Sequence, residues 1–200
     1  MQKTKGGRHL KIGCVIMASG MARRFGSNKL LHDFHGEPMM VRILRSTAKT
    51  TMQHRLVVTR HPEVEAICQT EGVPCLLHDL PKRSDTVRLG VEKLLSTEPD
   101  LEGIMFAASD QPCLTAASIQ NLCDAFAANP TYIYRLCWND TMGNPVIFPK
   151  STFEALLNLP EGKGGGAVVK AHPELVRTVS AQDERELIDC DTPEILQSLL

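Results

Sequence analysis

Three stretches of this 200-residue chain hold residues able to do chemistry. The first is "VIMASGMARRFGSNKLL" (15–31), an apolar run that turns into small residues, arginines and a lysine. Ala18, Ser19 and Gly20 keep side-chain bulk away, so backbone N–H groups can approach a phosphate chain. Arg24 adds a guanidinium fork and Lys29 a compact positive charge. The loop is no dinucleotide fingerprint, because Gly20 is followed next by Gly26 rather than by the tight G-x-G-x-x-G. It is no Walker loop either: Leu30 stands where a hydroxyl should follow the lysine. What remains is a different anion-holding loop, or a flexible basic surface loop.

The second stretch is "AASDQPCL" (107–114), an apolar run ending in Asp110, with Pro112 fixing the turn. Asp110 there suits Mg²⁺, which takes one or two carboxylates plus phosphate oxygens, or else it caps the following turn. The third is "LIDCDTPEI" (187–195), where Asp189 and Asp191 stand two apart. In a strand both would share one side; Asp191 is then a second metal carboxylate or the cap of the last helix. A further loop, "EGKGGG" (161–166), either closes over an anionic ligand or is a plain mobile turn.

These stretches meet only if the elements between them bring them to one edge. Short β-branched runs at 11–19, 55–60, 73–79 and 102–109 alternate with helical patterns at 38–50, 62–70, 84–96 and 115–128. Pro38 opens the first helix, Ser84 or Asp85 caps the third and Thr115 the fourth. The second half is less regular. It reads as a hairpin-like pair at 131–139 and 144–150 around "DTMG", a helix at 151–159 and a short one at 167–173. Two late strands follow, "VRTVSA" and "LIDCD", and then a helix with Thr192 as its cap. The expected fold is α/β: one Rossmann-like domain (11–200), its central mostly parallel, mixed sheet flanked by helices, behind a flexible basic tail (1–10). Open sheets of this kind bind ligands beyond the carboxyl ends of their strands, and that is where Ser19 and Asp110 fall.

Composition narrows the function. Hydrophobic residues are 42%, charged residues 22% and net charge is −1, so no global field draws the chain to nucleic acid or acidic lipid. No apolar run approaches the roughly 20 residues of a membrane span, and the basic start lacks an apolar signal core, so a cytoplasmic location is expected. The seven cysteines are scattered, with no Cys-x-x-Cys pair, and read as reduced core thiols.

Taken in order, the signature loop, the Asp-Gln-Pro turn and "GNPVIFPKSTFEALLNLPEGKGGGAVVKAHPELVRTV…LIDCDTPEIL" resemble the MobA-like nucleotidyltransferases, and more narrowly their molybdenum cofactor cytidylyltransferase branch. The likeness runs from about residue 11 to the C-terminus. It implies transfer of CMP from CTP to the phosphate of molybdopterin cofactor, with pyrophosphate released and a molybdenum hydroxylase as the receiving partner. Carried over residue by residue, it implies nucleotide contacts at Ala18, Ser19, Gly20, Arg24 and Lys29. It implies Mg²⁺ on Asp110 and Asp191, and weaker nucleotide contacts at Ser84 and Arg88 in "SDTVRLG". Catalysis would rest on Lys29, Arg24 and Asp110, with no general base, because a phosphate monoester is already an anion near neutral pH.

The chain departs from the pattern in three places. Ala-Ser-Gly stands where cytidylyl members carry Ala-Ala-Gly and guanylyl members Ala-Gly-Gly, which makes Ser19 the residue on which base choice turns. "PKR" replaces a glycine turn before Ser84, and Asn144 replaces the histidine of Gly-His-Pro. A guanylyltransferase, a transferase for another phosphorylated acceptor, and a non-catalytic cofactor-binding accessory protein are the competing readings.

Overall fold

Strand and helix alternate along the chain as the apolar periodicity demands. The computed structural model describes residues 10–20 and 25–200, so Arg24 and nearly all of the expected tail lie outside the described residues. In chain order the elements are β1 (Ile12–Ala18), α1 (Met39–Ala48), β2 (His54–Thr59), α2 (Pro62–Thr70), β3 (Cys75–Leu77), α3 (Arg83–Thr97) and β4 (Gly103–Ala108). There follow α4 (Ala116–Ala128), β5 (Ile133–Trp138), β6 (Thr141–Pro149), α5 (Phe153–Leu157), α6 (Gly166–Ala171), β7 (Val176–Ser180) and α7 (Pro193–Leu199).

One seven-stranded sheet runs in the order β3-β2-β1-β4-β6-β5-β7. The pairings of β1 with β2 and β4, of β2 with β3 and of β5 with β7 are parallel, while β6 pairs antiparallel with β4 and β5. The sheet is therefore mostly parallel and mixed. Chain order reverses between β1 and β4, the switch point at which such sheets open a crevice.

Side-chain alternation splits the core in two. Cys14, Ile16 and Ala18 of β1 face a cluster built with α1, α2, α4 and α7, whereas Val15 faces a second cluster built with α3 and α5. A strand covered on both faces must be apolar throughout, which is why β1 reads as an unbroken run. Gly90 lets α3 lie flat on that strand: a Cβ there would meet Val15 Cγ1 at 2.8 Å. That close approach carries the first turn of α3 out over the strand ends.

Three local readings are corrected. "LIDCD" is not a strand: Leu187 ends a 3-10 turn (Glu184–Leu187), and Cys190 N–H donates to the Asp110 carbonyl at 2.8 Å without a strand ladder forming. The hairpin turns at Asn139 and Asp140, one position ahead of "TMG", with Asn139 at φ 49°, and Thr141 already begins β6. Asn tolerates that left-handed geometry better than most residues. The first turn of α3 starts at Arg83 and its N-cap is Lys82, neither Ser84 nor Asp85; Asp85, the third helical residue, reaches back to accept from Lys82 N–H at 3.1 Å.

Candidate active site

The end of β1 is anchored sideways before its loop begins. Ser109 Oγ donates to Met17 O at 2.7 Å, Thr59 Oγ1 donates to Ala18 O at 2.9 Å, and His61 Nε2 lies 2.9 Å from Gly20 O. These side chains come from the ends of β2 and β4, so the strand-to-loop junction is fixed by its two neighbours. Ala18 is fully buried; Ser19 and Gly20 line the cleft beyond it, and a Cβ on Gly20 would meet nothing within 4 Å.

The chain returns to the sheet through a 3-10 turn (Lys29–Leu31), capped by Asn28 Oδ1 accepting from Leu30 N–H at 3.2 Å. Burial of Phe25 ahead of the turn and of Leu30 within it holds Lys29 inward, and Lys29 itself is only 7% exposed. Its ammonium donates to Asp110 Oδ2 at 2.6 Å and to Asp191 Oδ1 at 2.7 Å. Burial alone would push this lysine down, but Asp110 and then Asp191 reverse that and hold it above its usual range. Asp189 adjoins the pair and takes a hydrogen bond from Gln111 Nε2 at 2.9 Å. Burial, and then the Asp110 charge, raise its carboxyl above the ordinary range.

Two ties bring the C-terminal acids here. One is the bond from Cys190 N–H to Asp110 O described above. The other is Glu186, 1% exposed, whose Oε2 accepts from Thr115 N–H and Oγ1–H at 3.2 Å while Oε1 accepts from Gln182 N–H at 3.2 Å. Thr192, not Asp191, caps α7, through Ile195 N–H at 3.3 Å.

Lys29, Asp110, Asp189 and Asp191 form one wall of a cleft of about 930 Å³ at the carboxyl ends of the parallel strands. The facing wall is basic: Arg83 of α3 with Lys163 and Lys170 around the glycine loop, and Arg60 at the end of β2. Ser84 Oγ accepts from Gly162 N–H at 3.0 Å, Lys82 pairs with Glu161 at 2.9 Å, and the Arg83 stem lies against Gly164. Ser84 thus fastens the glycine loop instead of lining the cleft. Arg88 pairs with Glu92 at 3.2 Å and Asp85 at 3.8 Å, outside the cleft. Among the described residues the structure brings together Ser19, Gly20, Lys29, Asp110 and Asp191, and sets Ser84 and Arg88 aside.

Ser19 is held from below. Its hydroxyl donates to Val58 O at 3.2 Å and lies 3.1 Å from His78 Nε2, which also meets Thr86 Oγ1 at 3.3 Å. Burial and the nearby Arg60 guanidinium push His78 below its ordinary value, so the ring is neutral near pH 7.

A cleft at the switch point, a lysine between two carboxylates and an anion-ready loop are the parts of a phosphate-handling centre. The sequence pattern of the MobA-like NTP transferase domain matches residues 14–176, most of the chain. The chain belongs to that family. It is a nucleotidyltransferase by that membership. The purine catabolism protein PucB of Bacillus subtilis is 30% identical over 192 residues, covering 90% of this chain and 91% of that one. The molybdenum cofactor guanylyltransferase of Xanthomonas euvesicatoria pv. vesicatoria is 24% identical over 185 residues, 90% of this chain and 89% of its own. A 3-deoxy-manno-octulosonate cytidylyltransferase of Neisseria meningitidis is 27% identical over 101 residues, a match spanning only 40% of that relative's length and 50% of this chain. Rv0371c of Mycobacterium tuberculosis H37Rv shares the fold, with a TM-score of 0.83 at 22% identity over 96% of this chain and 98% of that one. A further structure of Rv0371c is a complex with manganese (TM-score 0.75, 20% identity, covering 95% and 98%).

Two residues that the sequence motifs do not flag stand at or behind this cleft. Arg60 sits at the carboxyl end of β2, so the strand-end rule that selected Ser19 and Asp110 was a signal for it too. Glu186 gave no such signal, because a glutamate two residues into a polar turn looks solvated until its three donors are in place.

Proposed function

We propose that this transferase moves CMP from CTP to the phosphate of molybdopterin cofactor and releases pyrophosphate, using Mg²⁺ held by Asp110 and Asp191. The carrying observation is the convergence of those two carboxylates, from β4 and from the approach to α7, on the buried Lys29 at the cleft wall. The donors fit the ion, since Mg²⁺ prefers hard oxygens from one or two carboxylates and completes its shell with phosphate oxygens and water. Bound there, the ion would supply charge neutralisation to the α- and β-phosphates.

The chain's own groups do the rest. Ser19 and Gly20 form the backbone floor for the triphosphate, with the buried Ala18 setting their place, and Lys29 and Arg24 balance its charge as pyrophosphate departs. The acceptor phosphate is already ionised and needs positioning, not deprotonation, and the basic wall of Arg83, Lys163 and Lys170 suits an anion. Ser84 serves the nucleotide site indirectly, by holding the glycine loop through Gly162. Arg88 would reach a nucleotide only by leaving Glu92 and Asp85. Cytosine is favoured because Ser19 is close to alanine in size and its hydroxyl is occupied by Val58 O and His78. The product then passes to a molybdenum hydroxylase.

The test is to incubate the protein with Mg²⁺, molybdopterin cofactor and each NTP in turn, measuring pyrophosphate. Release with CTP alone is the expected result. Release with GTP alone overturns the base assignment in favour of the guanylyl reading, which the Xanthomonas relative represents. No release with any NTP overturns turnover altogether and leaves an accessory binding protein.

A further inference from the structure

We infer that Lys29 is an internal counter-ion occupying the metal's place, so that a divalent cation and the triphosphate enter this site as a coupled pair. The inference rests on the reading of Asp110 and Asp191 as the metal's carboxylates. The Lys29 ammonium holds both, at 2.6 and 2.7 Å, and is 7% exposed. Those carboxylates come from segments 81 and 162 positions away in sequence, and this cation bridges them directly. Lys29 holds one oxygen of each carboxylate, so a dication taken up by the same two carboxylates would lie close beside the ammonium, where the two positive charges repel.

Metal arriving alone must therefore evict a buried cation from its anions, and leaving that cation unpaired is costly. A triphosphate changes the balance. It offers the evicted ammonium new oxygens beside the loop that Lys29 closes, while the ion takes over Asp110 and Asp191. Each ligand then raises the other's affinity by the same factor, because such coupling is reciprocal. The long, flexible lysine stem makes the exchange possible without moving the 3-10 turn beneath it.

The experiment titrates Mn²⁺ into the full chain and follows the free-ion signal by electron paramagnetic resonance. It is done with and without α,β-methylene-CTP or α,β-methylene-GTP, on wild type, Lys29→Met, Lys29→Gln and Asp110→Asn. For wild type the expected result is weak binding of Mn²⁺ alone, tightened by about tenfold or more with an analogue, within the usual range of coupling. Both Lys29 variants should bind Mn²⁺ alone about tenfold tighter than wild type and lose most of the analogue's effect. The inference is overturned if wild type binds Mn²⁺ equally well with and without analogue, a result that needs no variant to fold. It is equally overturned if the Lys29 variants, native by circular dichroism, bind Mn²⁺ no tighter than wild type. Asp110→Asn separates the two failures: undiminished Mn²⁺ binding in that variant overturns the carboxylate reading itself, whatever Lys29 does.

Discussion

The two walls of the cleft are built differently. On the acidic wall, Lys29 is buried and Asp110 half-buried, and the wall is fixed by backbone ties, by Gln111 on Asp189 and by the Glu186 anchor. On the basic wall, the glycine loop hangs from α3 by one hydroxyl bond from Gly162 to Ser84 and an exposed ion pair between Lys82 and Glu161. Exposed ion pairs of that kind contribute about 0–1 kcal/mol. The contrast teaches that the acidic wall is preset by many ties, while the basic wall is free to adjust; under the proposed function the first is where charge develops and the second meets the acceptor.

The largest effect should come from the preset wall. Asp110→Ala is expected to lower the rate of pyrophosphate release by about 10²–10³, with the thermal transition retained. Wild-type-like turnover in that variant would sink the two-carboxylate scheme. Next comes the anchor. Glu186→Ala strands the donors on Thr115 and Gln182 and should cost about 1–3 kcal/mol in urea unfolding. A neutral result would mean that the C-terminal segment is held elsewhere. On the adjustable wall, Ser84→Ala should cost about 1 kcal/mol or less and speed amide exchange in 161–166, leaving exchange around Lys29 unchanged. If exchange rises equally on both walls, the comparison fails.

The smallest effect is a pH dependence at His78. Its folded pKa lies below the ordinary 6.5, so the unfolded chain takes up the proton first. Its contribution to stability is therefore complete above 6.5 and is lost as pH falls from there through the folded value. Melting temperatures of wild type and His78→Gln, compared from pH 8 down to about 5, should show wild type losing more below 6.5. Parallel curves would remove His78 from the support of Ser19.

Much of the parallel half was legible in the sequence, because β1 and β4 are apolar throughout and the helices between them carry one buried stripe. Lys29, Asp110 and Asp191 were legible too, as charged residues set beside strand ends and turn formers. The misreadings fall where local pattern and tertiary pairing diverge. "LIDCD" alternates as a strand would, yet among the described residues no strand pairs with it; the Cys190 N–H bond to Asp110 O and the Gln111 side chain, bonded to Leu187 O and Asp189, set its place instead. Ser84 and Arg88 sit in a helix whose start shifted to Arg83, which turned one toward Gly162 and the other toward Glu92. Arg60 went unmarked although it closes the run at 55–60, because the strand-end rule was applied only to the first and fourth strands.

The 162-residue gap between Lys29 and Asp191 has a consequence for the nascent chain. Translation delivers the loop first and the last carboxylate near the end, after all seven strands have been made. The sheet can thus pair while its acidic wall is still incomplete, and a product stalled before the Glu186 anchor would hold the fold's frame without its working centre.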